Sequence, residues 1–148
     1  MIEMINSKLI EILLVEDDPG DIRLTKEAFK EGTVLHNLST VTDGAKAIDF
    51  LSKDGEYTDV PRPDLVLLDL NLPKKDGKEV LQFIKSDPDL KKIPVIILTT
   101  SSSEFDITRA YQLHANCYIT KPIDFDSFID VIKLIEDFWL KLAMLPTN

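Results

Sequence analysis

The chain has 148 residues, 44% of them hydrophobic, which suits one domain with a substantial core. A formal charge of -9, from 26 acidic against 17 basic side chains, and the lack of any lysine-arginine tract argue against binding a nucleic-acid backbone. Cys117 is the single cysteine, which excludes an internal disulfide framework, and no segment approaches a membrane span, so a compact cytoplasmic unit that binds no membrane is expected.

Short β-rich runs alternate with amphipathic stretches, the pattern of a parallel α/β sheet. Glu11 to Val15 reads as the first strand, and Asp18-Pro19-Gly20-Asp21 leads into a helix from about Ile22 to Lys30. Leu38 to Val41 is a weaker second strand, followed by an Asp43-Gly44 turn, a helix ending near Lys53 and a polar loop over Asp54 to Pro63. Leu65 to Leu68 is the third strand. A turn at Leu72 to Gly77 precedes a helix over Glu79 to Lys85, stopped by Asp87-Pro88. Val95 to Leu98, a polar loop, a helix over Asp106 to Leu113, and Cys117 to Thr120 follow, with Cys117 read as core packing. The last helix should run from Phe125 to about Met144.

Right-handed crossovers place the loops after all strands on one rim, where open α/β sheets bind ligands. That rim gathers Glu16, Asp17 and Asp18 after the first strand, Asp69 after the third, Thr99 after the fourth and Lys121 after the fifth. Two like charges about 4 Å apart repel by about 4 kcal/mol at an effective dielectric near 20, so acids collected there call for a cation. Glu16, Asp17 and Asp69 are hard oxygen donors with no histidine or thiolate beside them, which favours Mg²⁺ or Mn²⁺ over zinc or copper. Asp18 and Asp21 are equally well explained as acids favoured by a helix N-terminus, whereas Asp69 closes an apolar strand. Taken singly, Lys121 is a solvated strand-end lysine and Thr99 an ordinary strand residue. Taken together, the four strand ends suit a carboxylate nucleophile, Asp69, with cations to neutralise a phosphoryl group in transfer.

These segments resemble the receiver domain of two-component response regulators. The likeness rests on Ile12 to Asp18, Asp64 to Pro73 with Asp76-Gly77, Pro94 to Thr99, and Tyr118 to Pro122, and it spans Leu9 to about Asp137. The resemblance implies a doubly wound five-stranded parallel sheet of order 2-1-3-4-5 with five helices. It further implies that Asp69 accepts a phosphoryl group from a sensor histidine kinase and that Glu16 and Asp17 hold Mg²⁺ with the backbone carbonyl of Asn71. Thr99 and Lys121 would contact the phosphoryl group, and Tyr118 would be the switch aromatic. Most receivers carry a small residue after the threonine, and here it is Thr100, expected to hinder water attack. Asn71 and Ser101 are expected to tune the same phosphoryl lifetime. His36 and His114 lack the setting of relay histidines.

Residues 1–8 are then a tail, 9–137 the receiver, and 138–148 an extension of the last helix with a C-terminal tail. At 100° per residue, Phe128, Ile132, Ile135, Trp139 and Leu142 form one apolar stripe, and Val131, Leu134, Phe138 and Leu145 a second. The second stripe either packs under the preceding helix or marks an interface. A homodimer through Phe138, Trp139 and Leu142 is expected, and the sequence Glu136 to Leu140 resembles stand-alone regulators paired with phytochrome-type kinases.

Two other functions compete. Aspartyl-phosphate phosphatases use a similar residue set, but there the nucleophile precedes the acid pair and a second Asp follows by two positions, where this chain has Asn71. A dimeric interaction module without chemistry would leave the complete acid, threonine and lysine set unexplained.

Overall fold

The valine-, isoleucine- and leucine-rich runs form five strands: β1 (Ile10–Val15), β2 (His36–Val41), β3 (Leu65–Leu68), β4 (Val95–Thr99) and β5 (Cys117–Thr120). The computed structural model describes residues 9–142 and 145, without the side chains of 141 and 142. The expected tail at 1–8, the helix end at Met144 and the Leu142 side chain therefore lie outside what is described.

All strand pairings are parallel, in the order β2-β1-β3-β4-β5. Successive side chains of a strand face opposite ways, and both faces here are covered. Leu13, Val15, Val66, Leu68, Val95 and Ile97 point into one core, closed by α2 (Gly44–Ser52), α3 (Gly77–Ser86) and α4 (Glu104–Gln112). Ile12, Leu14, Leu65, Leu67, Ile96 and Leu98 point into the other, closed by α1 (Pro19–Lys30) and α5 (Phe125–Ile135). Truncating a fully buried member such as Leu67 to Ala is worth about 2–5 kcal/mol in destabilisation. Cys117 is half-buried at the edge of the second core.

Three helices begin two residues earlier than the sequence pattern suggests or more, because their capping carboxylates and hydroxyls read as turn residues. Asp18 caps α1, accepting from the amide of Gly20, with Pro19 in the first turn. Asp76 and Glu79 form a reciprocal capping box on α3. Ser103 caps α4 by accepting from the amide of Asp106. That helix ends with His114 in the left-handed region, φ 71°, while His36 packs half-buried against Phe29 with ring centroids 5.5 Å apart.

The carboxyl-terminal helix departs from expectation. Regular α geometry stops at Ile135, and Glu136–Leu142 forms a π-helical stretch. A π turn holds more residues than an α turn, yet Trp139 still falls on the side of Phe128, Ile132 and Ile135. Trp139 and Leu140 pack half-buried against the second core, which takes Trp139 out of a fully open interface, whereas Leu134 and Phe138 are 65% and 53% exposed.

Candidate functional site

Strand register sets the site. Val15 is paired with Leu68, so Glu16 and Asp69 emerge side by side from β1 and β3, at the point where strand order reverses. The ladder continues one step past the strands: the Asp69 amide donates to the Val15 carbonyl at 3.0 Å, and the Lys121 amide donates to the Thr99 carbonyl at 2.6 Å. Gly77 permits the β3–α3 loop to fold back on the acceptor, since a Cβ there would collide with the carbonyl oxygen of Asp69 and the Cα of Leu70. Its amide donates to the Leu70 carbonyl at 2.9 Å.

Carboxylate oxygens of Glu16, Asp17 and Asp69 lie within 4.8 Å of one another. Glu16 and Asp69 are buried and Asp17 is exposed, so the cluster opens to water on one side. An all-oxygen set of this size fits a hard divalent cation that keeps part of its water shell. Glu16 already takes two hydrogen bonds, from Lys121 Nζ at 2.5 Å and the Asp18 amide at 3.1 Å. Asp18 itself caps α1 and stands apart from the cluster.

Lys121 is buried, and its Nζ donates also to Asp21 Oδ2 at 2.7 Å and to Asp69 Oδ2 at 3.1 Å. Burial pulls the ammonium towards the neutral form, but the hydrogen bonds to Asp21 and Glu16 and the charge of Asp69 outweigh it and raise its pKa. Burial likewise pushes the Glu16 carboxyl up. The Lys121 hydrogen bond pulls it back, the Asp69 charge adds to the rise, and it settles at about 7. Lys121 precedes Pro122 through a trans bond.

The hydroxyl of Thr99 is buried and has no hydrogen-bond partner among the described residues. A buried hydroxyl without a partner costs stability, and this one stands at the end of β4 on the same rim of the sheet as Asp69. The Asn71 amide donates to Asp69 Oδ1 at 3.2 Å. Thr100 is exposed and Ser101 half-buried. The Tyr118 hydroxyl donates to the Ser101 carbonyl at 2.8 Å, and the Tyr118 amide donates to the Tyr111 hydroxyl at 3.1 Å.

Two participants escaped the sequence reading. Asp21, taken there as a helix N-terminal acid, is in the first turn of α1 and also holds Lys121. Asp106 accepts from Lys78 Nζ and from Ser101 Oγ, both at 2.6 Å, and ties the first turn of α3 to the loop after β4. A polar residue in the first turn of a helix is the signal in both cases, but it does not say which way the carboxylate turns.

The fold, the acid cluster and the lysine define a receiver. Residues 12–133 match the family model of the response regulator receiver domain, and the chain belongs to that family. It is similar to Response regulator Rcp1 of Synechocystis sp., 52% identical over 135 residues that cover 91% of this chain and 92% of that protein. Among solved structures it is similar to the phosphorylated cyanobacterial phytochrome response regulator RcpA, with 54% identity, TM-score 0.92, and coverage of 95% of this chain and 100% of that one. The Mn²⁺-bound form of Rcp1 aligns with 51% identity and TM-score 0.91, over 93% of this chain and 99% of that one.

Proposed function

We propose that this chain is a response regulator whose Asp69 accepts a phosphoryl group from a sensor histidine kinase. The observation that carries the reading is Lys121 Nζ, 3.1 Å from Asp69 Oδ2, beside an oxygen cluster fit for a divalent cation. In the transfer, an Asp69 oxygen bonds to phosphorus as the bond from phosphorus to the donor imidazole nitrogen breaks, leaving an acyl phosphate. Mg²⁺ or Mn²⁺, held by Glu16, Asp17, Asp69 and the Asn71 carbonyl, would neutralise charge on the transferred oxygens. Lys121 supplies a second positive charge, and the Thr99 hydroxyl donates to a phosphoryl oxygen. Movement of Thr99 is transmitted to Tyr118, whose hydroxyl contacts the loop at Ser101. Asn71, whose amide donates to Asp69, and Thr100 and Ser101, which follow Thr99 in the chain, set how long the phosphoryl group survives.

The relatives named as phytochrome response regulators support a phytochrome-type kinase as the donor. The signal leaves the receiver unit, residues 9–137, through protein contacts rather than through catalysis of a separate substrate. Receiver membership and an acid pair that precedes the acceptor argue against the phosphatase reading. No helix among the described residues is long and apolar enough to cross a membrane, and the cytoplasm is the proposed location. A second copy is the proposed occupant of the apolar groove of about 340 Å³ lined by Cys117, Ile119, Val131, Leu134, Phe138 and Trp139, with Leu142 on the same extension.

The test is incubation with Mg²⁺ and acetyl phosphate followed by intact-protein mass. Wild type should gain one phosphoryl group and Asp69→Asn none. No gain in wild type, or equal gain in both, contradicts the reading.

A further inference from the structure

The loop between β3 and α3 is held from two sides by glycines. Gly77 lets its base close on the acceptor, and the Gly77 amide donates to the Leu70 carbonyl at 2.9 Å. That carbonyl also takes the Leu72 amide at 3.2 Å, which puts Asn71 at the centre of a three-residue turn with its own amide on Asp69 Oδ1. At the tip of the loop, the first turn of α2 comes up against it. Gly44 is buried there, its amide 3.4 Å from the Pro73 carbonyl, and a Cβ at position 44 would run into the carbonyl group of Lys75. Gly44 opens α2 with no left-handed backbone, so space and not conformation calls for a glycine. The collision would be with main chain, which no side-chain rotation relieves. The helix is the stiffer partner: buried Asp43 caps it by accepting the Lys46 amide at 2.7 Å, and Ala47, Phe50 and Leu51 bury it in the first core. The loop is the softer one. Pro73, Lys74 and Lys75 are exposed, and Lys74 is held at φ 67°, a conformation that L-residues rarely adopt unaided.

We propose that Gly44 is a positioning residue for the divalent cation: by giving the Lys75 carbonyl a seat on α2, it holds the β3–α3 loop so that the Asn71 carbonyl stays beside Asp69 as a ligand. This rests on the metal reading above, in which Glu16, Asp17 and Asp69 supply the side-chain oxygens. Gly44→Ala favours the helix itself, so α2 taken alone would tolerate it. The cost falls on the loop. The Lys75 carbonyl is pushed off its seat, the shift passes back along the exposed tip to Asn71, and the backbone ligand is lost while the carboxylates remain.

The experiment titrates Mn²⁺ into the protein by calorimetry, without a phosphodonor, alongside thermal unfolding without metal. Gly44→Ala should bind Mn²⁺ about tenfold more weakly than wild type, the lower end of what loss of a ligand-orienting partner costs. Leu51→Ala, a core truncation in the same helix, should unfold at lower temperature and keep wild-type affinity. A second pair of variants loosens the seat without overfilling it. Asp43→Ala removes the cap of α2 and should weaken Mn²⁺ binding about threefold, part of what a helix cap is worth. Asp43→Asn removes the same charge but keeps a capping oxygen, and should bind within about twofold of wild type. Wild-type affinity in a folded Gly44→Ala, equal losses in Gly44→Ala and Leu51→Ala, or two Asp43 variants that bind alike would each overturn the proposal. If Gly44→Ala does not fold, the Asp43 pair decides. A wild type that binds no Mn²⁺ would instead sink the metal reading.

Discussion

Lys121 Nζ bridges Glu16 Oε1 at 2.5 Å and Asp69 Oδ2 at 3.1 Å, joining the ends of β5, β1 and β3 through one ammonium. Removing it strands two buried carboxylates. Loss of one partner from a buried ionic group costs about 3–5 kcal/mol. Lys121→Met, at pH 8 without metal, should unfold at clearly lower temperature than wild type, and Mg²⁺ should raise its Tm by more than it raises that of wild type. Thermal unfolding with and without Mg²⁺ decides this; equal shifts in both proteins contradict it.

Glu16 gives a pH dependence with a definite sign. Its pKa is pushed up to about 7 in the fold from an ordinary 4.5, so the folded protein holds this proton more tightly than the unfolded chain. In the absence of metal, its contribution to stability is lost as pH rises from about 4.5 through about 7. A metal needs the deprotonated carboxylate, so affinity runs the other way. Mn²⁺ should bind about tenfold more tightly at pH 8 than at pH 6, by calorimetry. An affinity flat across that range would contradict the coupling of the Glu16 proton to metal binding. Lys121, shifted upwards, stays charged throughout.

Thr100 stands exposed directly after the buried Thr99. If its extra bulk hinders water, Thr100→Ala should lose the phosphoryl group about two- to threefold faster, a change of well under 1 kcal/mol in barrier. The decay rate of loaded protein measures it, and an unchanged rate dismisses the steric role.

The carboxyl-terminal face should self-associate. Phe138 presents its ring to solvent in edge-to-face contact with Trp139, centroids 5.4 Å apart. Exposed apolar surface of this kind marks interfaces. Phe138→Ala should weaken the dimer without loss of fold, while Trp139→Ala should also lower stability because the indole packs on the core. Sedimentation at micromolar concentration giving a monomer for wild type as well as for both variants would contradict this.

The central sheet was legible because β1, β3 and β4 are short apolar runs, and the rim because three of them stop abruptly at Glu16, Asp69 and Thr99. Lys121 followed from the same logic. Edge strand β2 was harder: of His36 to Val41 only Val41 is fully buried, so the apolar pattern that marks a strand is thin. Asp21 and Asp106 were not legible as site residues, since a first-turn acid is favoured by the helix end whatever it touches. The two apolar stripes of the last helix were legible, since Trp139 joins Phe128, Ile132 and Ile135 on the core while Leu134 and Phe138 are exposed; the change to π-helical geometry after Ile135 was not.

The most direct test of the account locates the phosphoryl group. Protein loaded with Mg²⁺ and acetyl phosphate is reduced with borohydride, which converts an aspartyl phosphate to homoserine, and the digested peptides are sequenced by mass spectrometry. The account predicts homoserine at position 69 alone and none in Asp69→Asn. Modification at another aspartate, or none in a wild type that has gained the phosphoryl mass, would contradict it.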